Sequence, residues 1–138
     1  MINTINMQDM RYLNLFSKIT GVSTRYCFKY NESIVFIVPL HLVSKSIGEN
    51  GKNIRRISET LGKKIKVVFM PESIRDAKKF IGTVISPTEF KDLEFNNNEI
   101  IINAGSQNKA ALIGREKRRL YELQKIARDF FGKDLKIA

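Results

Sequence analysis

The chain has a single cysteine, Cys27, so it can close no internal disulfide and offers no second thiol for zinc, a usage that fits a reducing compartment. Between Tyr26 and Phe28, Cys27 reads as a small core residue rather than a nucleophile. Histidine is equally scarce. His41, between Leu40 and Leu42, has no partner cysteine or histidine to complete a metal set, so a place on or just under a helix surface is expected. No apolar run is long enough to span a bilayer, the longest being Ile34 to Leu40, and the opening MINTINMQDMRY lacks the basic start and apolar stretch of a leader. A cytoplasmic protein without membrane contact is expected. Acidic residues are the smaller ionic class, 14 against 24 Lys and Arg, and the net charge of +10 favours a polyanionic partner. Charge alone does not choose among nucleic acid, an anionic membrane and a polyacidic protein.

What is present is a globular composition and an internal repeat. With 138 residues and 43% hydrophobic content, the chain can build one ordinary domain or two very small ones. Ile34, Ile47 and Gly48 recur as Ile100, Ile113 and Gly114, each pair 66 positions apart. The first copy, ESIVFIVPLHLVSKSIGENGKNIRRISETLGKKIKVV, reads as strand, helix, GENG turn, helix, glycine stop and strand. The second, NEIIINAGSQNKAALIGREKRRLYELQKIARDFFGKDLKIA, keeps that order with GREK in the turn and a final helix longer by about one turn.

Ile34 to Val38 is a continuous β-branched and aromatic run, which suits a strand buried on both faces, and Ile100 to Ile102 is its counterpart. Candidate strands at Thr24 to Tyr30 and Phe90 to Phe95 precede them across asparagine-bearing turns, so each pair reads as a hairpin. Upstream lie helical segments, marked by Met10, Leu13, Phe16 and Ile19 and by Ile74, Ala77 and Ile81 after Pro71. Each unit is then α-β-β-α-α-β, an α+β fold with a three-stranded sheet and helices packed on one face. The boundary falls near Pro71, giving domains 1–70 and 71–138. The helix after GENG sets Ile54, Ile57 and Leu61 on one side and Lys52, Arg55 and Arg56 on another. Leu120, Leu123, Ala127, Phe130 and Phe131 form the matching stripe, and Gly62 and Gly132 end the two helices.

A helix-GxxG-helix turn has a use beyond reversing the chain. Glycines at Gly48 and Gly51 let the backbone turn sharply and come close to a sugar-phosphate chain, while amides opening the next helix face the anion. A shallow apolar groove beside it would take about four unstacked nucleotides. Ile47, Ile54 and Ile65 are candidates for its floor. Seven basic residues lie between Lys45 and Lys66 against Glu49 and Glu59, and seven between Lys109 and Arg128 against Glu116 and Glu122. Single cations on a helix are ordinarily a solvated face; as sets beside two equivalent turns they point to nucleic acid.

These segments resemble paired type II KH domains, and specifically the archaeal relatives of the transcription factor NusA, over essentially the whole chain. IGENGKNIRRISETLGKKIKVV and ALIGREKRRLYELQKIARDFFGKDLKI carry the resemblance. It implies binding of single-stranded RNA and a role in transcription elongation, termination or antitermination, with RNA polymerase or its elongation complex as a further partner. Gly48, Glu49, Asn50 and Gly51 match the family's nucleic-acid clamp, and Gly114, Arg115, Glu116 and Lys117 the second turn. Lys52, Arg55 and Arg56 flank the first and Arg118 and Arg119 the second. Bacterial NusA also carries a polymerase-binding domain and an S1 domain, for which this length leaves no room. Lys117 stands where a second glycine is usual, trading close backbone approach for a point charge.

The acidic stretch from Glu89 to Glu99 alternates along a strand without a second motif for metal-assisted phosphoryl transfer, so neither an enzyme, a metal nor a cofactor is expected. A KH protein of ribosome assembly or RNA decay would carry the same turns. A basic module docking on an acidic surface of polymerase would carry the same helices without a groove.

Overall fold

The computed structural model describes residues 7–138; residues 1–6, the start of the segment read for a leader and of the first expected domain, lie outside it. The described chain forms two compact units, 7–70 and 71–138, each α+β with one three-stranded sheet. In the first, helix α1 (Met7–Thr20) leads into strands β1 (Tyr26–Tyr30) and β2 (Ser33–Val38), then short helix α2 (Val43–Ile47), helix α3 (Lys52–Leu61) and strand β3 (Lys64–Phe69). The second runs α4 (Ala77–Ile85), β4 (Asp92–Phe95), β5 (Glu99–Asn103), α5 (Ser106–Ile113), α6 (Arg118–Phe131) and β6 (Asp134–Ile137).

Both sheets have the same plan: a hairpin, then a parallel partner on the far side of the central strand. Cys27 faces Phe36 and Ile34 faces Ile65 in the first; Leu93 faces Ile102 and Ile100 faces Leu135 in the second. A parallel pair needs a crossover, and here the two short helices and their turn supply it. The turn is therefore fixed at the end of the sheet by the chain path itself.

All five residues from Ile34 to Val38 are buried, as an unbroken apolar run requires. On one face of the sheet Ile34, Phe36, Val38 and Val67 pack with Tyr12, Leu13 and Phe16 of α1 and Ile57 of α3. Phe16 stacks on Phe36 at 4.4 Å between ring centres, and burial of each ring contributes roughly 3 kcal/mol. The second unit packs Phe80 of α4 against Phe130 and Phe131 of α6, 5.2 and 5.8 Å away.

Three details differ from the sequence reading. Met10 is exposed, and α1 buries Tyr12, Leu13, Phe16 and Thr20. Residues three apart on a helix drift about 60° per step, so a threefold series cannot stay on one face. The strand expected from Thr24 begins at Tyr26, because the Thr24 hydroxyl, rather than its backbone, donates to the Ile37 carbonyl. The strand expected from Phe90 begins at Asp92, after the Lys91 amide closes on Asn103. The final helices differ by four residues, 10 against 14, which is the expected turn.

Candidate nucleic-acid interface

The two turns have one backbone conformation. Gly48 sits at φ 80°, ψ 165°, Asn50 at φ 56°, ψ 28° and Gly51 at φ 73°, ψ 18°. Gly114, Glu116 and Lys117 follow at 76°, 173°; 55°, 29°; and 62°, 21°. Lys117 thus accepts the left-handed geometry of the glycine it replaces, at a cost of roughly 1 kcal/mol. The same hydrogen bonds recur: the amides of Gly48 and Gly51 donate to Ser44 and Gly48 carbonyls, and those of Gly114 and Lys117 to Ala110 and Gly114. The Lys52 and Arg118 amides close on Glu49 and Arg115. Glu49 with Asn50, and Arg115 with Glu116, are then the first donors of each helical turn, and such donors have no acceptor within it.

The two glycines of GENG have different jobs. A Cβ on Gly48 would stand 2.9 Å from the Asn53 side chain, and its dihedrals lie in a region essentially reserved for glycine. A Cβ on Gly51 would meet nothing within 4 Å. Space at Gly48 is therefore taken by the protein itself, whereas space at Gly51 is open. By sequence both glycines are expected to serve the same purpose; their environments separate them. Gly114 repeats the first case, with Arg119 Cγ 2.9 Å from where a Cβ would be.

Asn53 and Arg119, 66 positions apart, are the residues that lock the turns. Asn53 Nδ2 donates to the Lys45 carbonyl at 3.2 Å, and an Arg119 guanidinium nitrogen to the Ala111 carbonyl at 2.9 Å. Arg119, expected as a cation for phosphate, is half-buried and holds its turn together. Asn53 carried no charge or glycine to draw notice; its alignment with Arg119 in the repeat was the available signal. Arg55 also reaches back, donating to the Asn50 carbonyl at 3.1 Å.

Lys52, Arg56, Arg115, Lys117 and Arg118 are exposed, as are Glu49, Asn50 and Glu116. Ile47, Ile54 and Ile65 are half-buried and pack against the first core. Lys66 does not join the basic set: strand alternation turns it away from the face carrying Ile65 and Val67. Its partial burial holds the ammonium's pKa below the usual lysine value. The acidic hairpin is met by local partners, Asp92 with Lys78 at 3.4 Å and Glu99 with Lys136 at 3.4 Å. The Leu93 amide and then Lys78 keep the Asp92 carboxyl below its ordinary range. Among the described residues no group of three His, Cys, Asp or Glu could hold a metal ion, and no helix is long and apolar enough to cross a membrane. His41 is exposed.

An α+β unit used twice, each with a locked glycine turn at the start of a basic helix, defines the class. No protein-family model matches the chain. It is similar to the Probable transcription termination protein NusA of Methanococcus vannielii, 28% identical over 138 aligned residues that cover 96% of this chain and 78% of that protein. The protein of the same name from Methanocaldococcus jannaschii is 28% identical over 89 residues, 64% of this chain and 47% of its own length. The crystal structure of APE1850 shares the fold, with a TM-score of 0.67 at 23% identity over 97% of this chain and all of that one. In sequence the chain is NusA-like.

Proposed function

We propose that the chain is a non-enzymatic single-stranded RNA-binding factor of transcription, built from two type II KH domains, 1–70 and 71–138, and acting in elongation, termination or antitermination. The observation that carries the reading is the shared conformation of residues 48–51 and 114–117 in spite of Lys117. A backbone held in an unfavourable geometry twice, by two different side chains, is hard to explain as a mere chain reversal. The similarity to proteins named for transcription termination supports the setting.

In this reading phosphates meet the amides of Glu49 and Asn50 and the ammonium of Lys52, with Arg55 and Arg56 beside them. Bases enter over Ile47, Ile54 and Ile65. Gly114, Arg115, Glu116 and Lys117 with Arg118 form the second contact, and Arg119 keeps it in shape. Glu49 repels phosphate modestly, and Lys52 offsets it.

The experiment is a titration of short single-stranded RNA against the full chain and a Glu49→Asp, Asn50→Asp double variant. Asparagine and aspartate both tolerate the left-handed geometry at position 50, so the fold is retained and a carboxylate is brought beside the donor amides. Affinity is expected to fall about tenfold or more. In the parent, log affinity should decline with log salt at a slope near -2 if about three phosphates are neutralised, at ~0.7 each. Equal affinities, with a flat salt response, would contradict the reading.

A further inference from the structure

We propose that Tyr121 is a base-stacking platform, through which the second unit holds a nucleotide on the outer face of α6 rather than in a groove between α6 and β6. This rests on the RNA-binding reading above and specifies how the second turn contributes to it.

Tyr121 is 57% exposed, one helical turn past Lys117. A tyrosine left this open beside a charged turn presents a ring face on which a base can stack. Its neighbours on the helix surface, three and four positions away, are Lys117, Arg118, Gln124 and Lys125. Three of the four are exposed cations, and none is acidic. The equivalent position in the first unit is Arg55, whose corresponding neighbours are Gly51, Lys52, Ser58 and Glu59. The cationic collar belongs to the second unit alone.

The second unit keeps half-buried Ile113 and Leu120 where the first has Ile47 and Ile54, but its strand side is closed. Gln124 Nε2 donates to the Leu135 carbonyl at 3.2 Å, carrying a side chain from α6 across to β6. Its counterpart Ser58 donates to Lys63, outside the strand, and leaves Ile65 half-buried. Leu135, paired in its sheet as Ile65 is in the first, is only 3% exposed. A base cannot lie on a leucine covered in this way. It can lie on a ring already facing solvent, with its neighbouring phosphates beside Lys125, about 6 Å along the helix axis from Tyr121, and beside Lys117 in the turn that opens the helix. Stacking accepts any base, so the platform adds affinity with little sequence preference.

The chain has no tryptophan, which makes a Tyr121→Trp variant a single-tryptophan reporter in the intact protein. Titration with single-stranded RNA of about 12 nucleotides should quench its emission along the same curve as total binding. Tyr121→Ala should weaken binding roughly 5- to 30-fold, and Tyr121→Phe, which keeps the ring, by less than about twofold. On an abasic strand with the same phosphates, Tyr121→Ala should change nothing. Unaltered emission on saturation, or wild-type affinity in Tyr121→Ala, would overturn the platform. If the Glu49→Asp, Asn50→Asp variant loses affinity while Tyr121→Ala does not, the RNA-binding reading stands without the platform. If neither loses affinity, both fall.

Discussion

At the residue scale, burial decides what Cys27 can do. It packs at the edge of the first core, and desolvation, with a smaller push from Asp9, raises its pKa from 9.0 to about 12. The folded state therefore holds the thiol proton more tightly than the unfolded one. That preference supports folding fully below pH about 9 and is lost as pH rises toward about 12. At pH 8 the thiolate fraction is about a thousandfold below that of an unburied thiol. Alkylation by iodoacetamide should be slower than that of a free peptide thiol by about the same factor. A rate matching the free thiol would show that Cys27 is not enclosed. The core character of Cys27 was legible from its aromatic neighbours. The exposure of Met10 was not, because threefold spacing resembles helical periodicity over one step and departs from it over three.

At the element scale the two turns are one device with two sequences. Element order, the lengths of α3 and α6 and the glycine stops could be read from the repeat, since apolar periodicity and glycine placement follow from local geometry. The division of labour inside GENG could not, because it depends on Asn53 occupying the space beside Gly48. Gly48→Ala should destabilise the first unit by roughly 3 kcal/mol, from forbidden dihedrals and a clash with Asn53. Gly51→Ala should cost only roughly 1 kcal/mol, the penalty that Lys117 already bears. Lys117→Gly should correspondingly stabilise by up to roughly 1 kcal/mol. Chemical denaturation of the three variants checks the order, and equal losses at Gly48 and Gly51 would contradict the assignment. Arg119 reads as one more cation in the sequence, yet its guanidinium is directed into the turn.

At the scale of the whole molecule, a net charge of +10 attracts polyanions without specifying one. What narrows the choice is where the charge sits. The acidic hairpin is matched by Lys78 and Lys136, while Lys52, Arg56, Lys117 and Arg118 remain exposed beside the turns. That asymmetry was visible in the sequence as basic sets near the glycines; the withdrawal of Lys66 to the other face of its sheet was not, because it depends on strand register. A module docking on an acidic protein would need the exposed cations but not half-buried Ile47, Ile54 and Ile65 or the strained turns.

The most direct measurement is a map of backbone amide resonances of the full chain as single-stranded RNA is added. The amides of Glu49, Asn50, Arg115 and Glu116 should move first and farthest, with Ile54 and Ile65 following as bases settle. Saturation that leaves those four amides where they began, while other surfaces shift, would contradict the claim that the two turns grip the strand.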